Sequence, residues 1–328
     1  MGDINRQLLA QSVINLRTLK SCAPEWAALQ RGTLTALSRD KAVDTEFYRG
    51  LSDFEQAWLR ALAVGRGAHQ SVLTGLSAAR IHDMWVVGHS RDLVELGNRS
   101  APPRAQWNPG TVYRRLALAD DDIITAYGVR TPRLFRIFAE IARHHGFRDG
   151  LVAADWLRAH GMSKSDMMSR ADELGRLPGI VTVRDAIEHS VPNSDSPYEP
   201  YARAILLEAG LGPIETQVQV APGVFVDMVV AGVAAVEIDG DSKYSGQFGP
   251  TEQVLIDERK REKHIHNLGI PLTRHSPKEL HTEENRFIAE VTDAVSRGRA
   301  VFGGGDMFVG TDFFTGPDSF TGRAAGWP

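Results

Sequence analysis

The stretch "VFVDMVVAGVAAVEIDGDSKY", residues 224–244, constrains the chain most. It reads as two apolar strands joined by small residues, yet Asp227, Glu237 and Asp239 sit within it. Side chains alternate along a strand, so Glu237 and Asp239 share one face while Val236 and Ile238 take the other. Whether Asp227 joins the acidic face depends on the connection. If Val230 pairs with Ala234, Asp227 falls directly across from Glu237. A strict two-residue turn at Ala231-Gly232 pairs Val230 with Val233 and sends Asp227 to the opposite face. A shared face therefore needs an odd-length loop or a bulge, and Gly232 suits either. Clustered carboxylates repel unless something positive lies among them. A hard divalent cation, Mg²⁺ or Mn²⁺, would resolve that repulsion and could polarise a phosphodiester and acidify a bound water. Lys243, four residues beyond Asp239, is spaced to reach a phosphate or the attacking water. The competing reading is a solvent-facing strand edge, with Asp239-Gly240 as ordinary turn chemistry.

The rest of the chain frames this segment. At 328 residues and 42% hydrophobic content it can build more than one core. A net charge of −4 gives no global basic field, so any nucleic-acid contact must come from a local patch. The single cysteine, Cys22, excludes an internal disulfide and a cysteine-rich zinc site, and fits a reducing cytoplasm. No run has the length of a membrane span, and the N-terminus lacks the pattern of a secretory signal, so a soluble cytoplasmic protein is expected.

Helical periodicity is read over the first 20 residues, where Leu8, Leu9, Val13, Ile14, Leu16 and Leu19 suit one face. It recurs in "LSDFEQAWLRALAVG", with Gly65 as a stop, and in "LTGLSAARIHDMW". Short strands follow in "DLVEL", "TVYRRLAL" and "DIITAY". Thr131-Pro132 then reads as the cap and first turn of a helix through "RLFRIFAEIARHHG". Two more helices, each closed by glycine, lie in "DGLVAADWLRAHG" and "SKSDMMSRADELG". Residues 1–190 thus form an α-rich region with a small sheet. The Pro/Ser/Asn/Asp cluster "HSVPNSDSP", 189–197, marks the boundary. Beyond it, residues 195–298 read as α-β-β-β-α-β, a mixed sheet with helices packed on it. The overall class is α/β, or α+β taken with the first region. The Gly- and Phe-rich end, 299–328, has no period and reads as a disordered tail.

"VFVDMVV" followed by "AAVEIDGDSKY" resembles the core motif of the PD-(D/E)xK nuclease superfamily, closest to its very-short-patch-repair-like branch. "SPYEPYARAILLEAGLGPIETQVQV" is similar to that branch's first helix and strand, and "DERKREKHIHNLGIPLTRHS" to its charged helix and returning strand. The likeness covers residues 195–275. It implies a restriction-endonuclease-like core cutting DNA, with Asp227 and Glu237 as metal ligands and the Ile238 carbonyl as a further one. It also implies Glu199 supporting the site and Lys243 standing for the motif lysine. Asp239 occupies the place where the superfamily usually carries that lysine. Upstream, "RGTLTALSRDKAV" and the segments to residue 160 resemble the AbiEi family of antitoxin-like regulators. That likeness implies DNA binding and a cognate toxin or other defence partner. Such proteins usually open with a winged helix, which the first 30 residues do not display.

Several residues carry two readings. Ser196-Pro197-Tyr198-Glu199 is a capping-box pattern, and Ser276-Pro277-Lys278-Glu279 repeats it where no site is expected. Arg259 and Lys263 lie on a helix whose acids nearly balance its bases, so phosphate contact competes with a solvated face. Arg99, Arg104, Arg114, Arg115, Arg130, Arg133 and Arg136 outnumber Asp120, Asp121 and Asp122, and form the better candidate phosphate patch. The pairs His144-His145 and His264/His266 read as surface histidines. Two functions follow: a metal-dependent DNA endonuclease or nickase in defence or repair, or a DNA-binding regulator on a non-cleaving nuclease fold.

Overall fold

Residues 3–87, 93–239 and 269–302 are described by the computed structural model. The chain divides into two units, Met1–Glu208 and Ala209–Pro328.

The first unit opens with helix α1 (Asp3–Gln11), which buries Leu9 and Ala10 and leaves Leu8 exposed. The single helix expected over the first 20 residues does not form. Strand β1 (Ile14–Asn15) and a 3₁₀ turn, Leu16–Thr18, replace it, and the Asn15 side chain accepts from the Arg17 amide at 3.3 Å. Adjacent β-branched Val13 and Ile14 favour extended backbone, and Asn15 caps the start of a separate 3₁₀ turn. Helix α2 (Pro24–Arg31) starts on a proline and ends at Gly32, whose φ of 77° is left-handed. Strands β2 (Leu34–Ser38) and β3 (Lys41–Asp44) form a hairpin, and β1 pairs onto β3 in an antiparallel sheet ordered β1-β3-β2. A helix, a strand, a 3₁₀ turn, a second helix and a hairpin, with β3 between β1 and β2, have the element order of a winged helix. Its first strand is two residues long, too short for sequence periodicity to reveal.

Helices α3 (Thr45–Gly50) and α4 (Asp53–Gly67) follow, the second held by a Ser52–Glu55 capping box. Gly65 lies inside α4 rather than ending it. A β-carbon there would stand 2.5 Å from the Val129 side chain, so this glycine serves close packing. A second sheet joins β4 (Val72–Leu73), β5 (Val94–Asn98) and β6 (Thr111–Arg115), with α5 (Gly75–Ile81) between the first two. Thr131-Pro132 does not open a helix. It ends strand β8 (Val129–Pro132), paired with β7 (Ile123–Ala126), and α6 (Leu134–His145) starts after Arg133. Pro132 is tolerated because it occupies the last position of a two-stranded hairpin. Helices α7 (Phe147–Ala159), α8 (Lys164–Glu173), α9 (Ile180–Glu188) and α10 (Tyr198–Glu208) complete the unit. Trp58, Leu62, Phe138, Ile141 and Leu157 belong to one buried cluster.

The boundary read at 189–197 moves. Buried Asp155 on α7 accepts from the Val191 amide at 2.9 Å, Ser194 Oγ at 2.6 Å and Arg203 Nη2 on α10 at 2.9 Å. A charge that deep must be paired, and its partners tie the Pro/Ser segment and α10 into the first unit. The division falls after Glu208 instead.

The second unit carries β9 (Ile214–Ala221), β10 (Val224–Val230), β11 (Ala234–Ile238) and β12 (Leu272–His275) in one sheet ordered β12-β11-β10-β9. The first three strands run antiparallel and β12 returns parallel to β11, so the sheet is mixed. Helix α11 (Pro277–Thr282) has the Ser276–Glu279 capping box read from sequence. Helix α12 (Glu284–Phe302) packs Phe287 against His275, with ring centroids 4.7 Å apart. It extends past 299, so the first residues assigned to the tail are helical. The fold is α/β. Among the described residues no helix is long and apolar enough to cross a membrane. The basic helix expected around Arg259, Lys263, His264 and His266, the residue Lys243, and positions 303–328 lie outside the described residues.

Candidate metal centre

The β10–β11 register pairs Met228 with Val236, Val229 with Ala235 and Val230 with Ala234. Continued one residue past its last printed pair, Met228 with Val236, this register would set Asp227 opposite Glu237. The connection that allows this is three residues long. Ala231 and Gly232 have φ of 51° and 66°, and the Val233 amide closes the turn on the Val230 carbonyl at 3.2 Å. Val233 is the extra residue that a two-residue turn would not hold.

Asp227 is half-buried, and its Oδ2 accepts from the Ile238 amide at 2.8 Å. That bond ties the carboxylate to the end of β11. Glu237 is 3% exposed, in a strand whose residues are all buried. Its parallel neighbour on β12 is Arg274, whose Nε lies 2.8 Å from Glu237 Oε2. On the outer side, the β9 register places Gln217 level with Asp227, and Gln217 has a φ of 52°. Gln217, Asp227, Glu237 and Arg274 are thus the polar positions at this level of the four strands. The left-handed backbone at Gln217 is strain of the kind that gathers at functional positions.

The opposite face is committed to packing. Thr273 and His275 point that way on β12, and α12 covers them. Asp239, on the acidic face by alternation, is half-buried, and its amide donates to the His275 carbonyl at 3.0 Å. Among the described residues no three His, Cys, Asp or Glu side chains converge on one ion position. The donors expected here are the Asp227 and Glu237 carboxylates and the Ile238 carbonyl, oxygen ligands all. That set fits Mg²⁺ or Mn²⁺, since Mg²⁺ keeps several waters and often takes only one or two carboxylates from the protein. Glu199 belongs to the first unit, where its Oε2 accepts from the Asp195 amide at 3.1 Å, so its carboxylate performs helix-start bonding.

The arginines proposed for a phosphate patch in the first unit have separate partners. Arg114 Nε reaches Glu95 at 3.4 Å, Arg130 donates to the carbonyls of His69 and Ser71, and Arg133 donates to that of Asp121. Arg136 binds Glu140, and Arg104 lies over the Trp107 ring. Arg115 and Arg99 are exposed. His145 is not a plain surface histidine. Its Nε2 is 2.8 Å from Oε1 of buried Glu95, which also accepts from the Leu76 amide at 3.0 Å. Burial disfavours the charge on both partners. Their mutual hydrogen bond and attraction outweigh it, holding His145 above the usual histidine value and Glu95 below the usual carboxylate value. Nothing in the spacing of residues 95 and 145 could announce this pair.

More exposed cations surround the winged-helix element. Lys20, Arg31 and Arg39 are exposed, Arg39 at the tip of the β2–β3 hairpin, and Trp26 on α2 is 38% exposed. No protein-family profile, curated protein or solved structure matches this chain.

Proposed function

We propose that the protein is a DNA-binding phosphodiesterase, a nuclease or nickase of the PD-(D/E)xK kind whose acid pair works with Mg²⁺ or Mn²⁺. The observation that carries this reading is the β10–β11 register with its three-residue connection at 231–233, which, continued one residue past Met228 and Val236, sets Asp227 across from Glu237. When bound, the ion would polarise the phosphodiester and acidify a water. Asp227 and Glu237 would hold it, and the amide of Ile238 fixes the Asp227 carboxylate in place. The AbiEi-like likeness and the winged-helix topology of residues 3–44 support DNA as the substrate, with Lys20, Arg31 and Arg39 placed for phosphate contact.

A second reading, a regulator that binds DNA without cutting it, is favoured by one observation. Arg274 already neutralises Glu237, and the motif lysine position holds Asp239. Plasmid nicking with Mg²⁺ or Mn²⁺ separates the two. Cleavage by the wild type that disappears in Asp227→Ala and Glu237→Ala supports the nuclease. A salt-sensitive gel shift with no cleavage above that of the variants supports the regulator.

A further inference from the structure

A buried acid with a guanidinium on the next strand beside it is held in a definite state before any ion arrives. Glu237 is 3% exposed, and a carboxylate removed from water to that degree stays ionised only beside a compensating charge. Arg274 supplies it at 2.8 Å. Its side chain is about a quarter exposed, against 4% for that of Glu237, so the guanidinium joins the buried acid to solvent. A divalent cation on Asp227 and Glu237 would need the very charge that Arg274 now satisfies.

We infer that Arg274 is the built-in counter-ion of this acid pair, competing with the divalent ion for Glu237 and, once displaced, presenting its guanidinium to a DNA phosphate. The inference rests on the metal-centre reading above and assigns a positioning residue that the motif does not contain. Two consequences follow from linkage. Metal affinity without DNA is held down by Arg274, because the ion must replace an existing partner. Metal and DNA favour one another, because the ion frees a phosphate-binding group and the phosphate keeps that group off Glu237; the coupling is reciprocal. A guanidinium suits both tasks, since its planar fork matches carboxylate and phosphate alike.

The test is Mn²⁺ binding, followed by electron paramagnetic resonance of the free ion, with and without a short DNA duplex and independent of turnover. Wild type, Arg274→Gln, Arg274→Lys and Asp227→Asn are compared as full chains, with far-UV circular dichroism checking each fold. Without DNA, Arg274→Gln should bind Mn²⁺ about tenfold more tightly than wild type, as expected for removing one competing charge next to a ligand. The same variant should lose the tightening that duplex gives the wild type. Arg274→Lys, which keeps the charge as a single point contact, should fall between them and guards against an unfolded Gln variant. Unchanged or weaker Mn²⁺ binding in both Arg274 variants, with Asp227→Asn still abolishing it, would overturn the counter-ion inference and leave the metal centre standing. Absence of Asp227-dependent Mn²⁺ binding in every protein would remove both.

Discussion

Gly298 of α12 lies against the Val233 backbone so closely that a β-carbon at 298 would stand 2.4 Å from the Val233 carbonyl oxygen. The neighbour is main chain, which cannot swing aside as a side-chain tip can. The last helix therefore docks on the connection that sets the register of Asp227 and Glu237. Gly298→Ala should destabilise the second unit by about 1–3 kcal/mol, the cost of overpacking, despite alanine's better helix propensity. Urea unfolding of the full chain measures it. A stabilised variant would mean that α12 does not seat on this connection.

Ala231 offers the complementary change. Its φ of 51° is a conformation that residues with a β-carbon adopt at a cost of about 1–2 kcal/mol. Ala231→Gly should be close to neutral, relief of that cost being offset by a looser unfolded chain. Ala231→Val adds a β-branch to the same backbone and should lower stability by more than about 1 kcal/mol. Thermal melts of the two variants should fall in that order.

Two histidines predict opposite pH limbs. Burial pushes His82 down to about 4 while its Nε2 lies 2.7 Å from the Thr131 hydroxyl. A folded pKa below the unfolded value means the unfolded chain binds the extra proton, so stability is lost as pH falls from about 6.5 toward 4. That limb amounts to roughly 3 kcal/mol. His82→Gln, which can keep the hydroxyl contact, should flatten it. His145 is held above its ordinary value, so its contribution is complete below about 6.5 and is lost as pH rises through the folded pKa. His145→Gln should flatten this alkaline limb. Glu95, held below 4.5, keeps its own contribution above that value and gives it up in acid. Urea midpoints measured from about pH 2.5 to 8.5 test the three signs together.

The exposed cations around the winged-helix element predict a salt-dependent signature. If Lys20, Arg31 and Arg39 neutralise phosphates, each charge-removing substitution should weaken duplex binding at all sequences alike. Each should also reduce the slope of log affinity against log salt by about 0.9. Arg114→Gln should leave the slope untouched, because Arg114 faces Glu95. Fluorescence anisotropy at several salt concentrations distinguishes these results, and equal slopes in all variants would place the DNA contact elsewhere.

The second unit was readable because its signals are local and periodic. Alternation in 224–238 placed the strands, and glycine at 232 allowed the three-residue connection that pairs Val230 with Ala234. Its mixed sheet followed from a hairpin and a returning strand. The first unit was harder. A two-residue β1 and a three-residue helical turn fall below the length at which periodicity speaks, so the winged-helix order was hidden. Thr131-Pro132 had the chemistry of a helix cap but was claimed by a hairpin that ends on the proline. Glu95–His145, Glu237–Arg274 and Asp155–Arg203 join residues 37 to 50 positions apart, and only the folded chain brings them together.

The anchoring of residues 191–203 by Asp155 changes where this polypeptide could be cut or recombined. A truncation at the proline- and serine-rich run, the obvious place to separate halves, would strip the carboxylate of its arginine and strand a negative charge in an oily interior. The natural seam lies after Glu208. An exchange of modules there would leave the anion clasped, so a fragment ending at that residue should survive where one ending near 190 would precipitate.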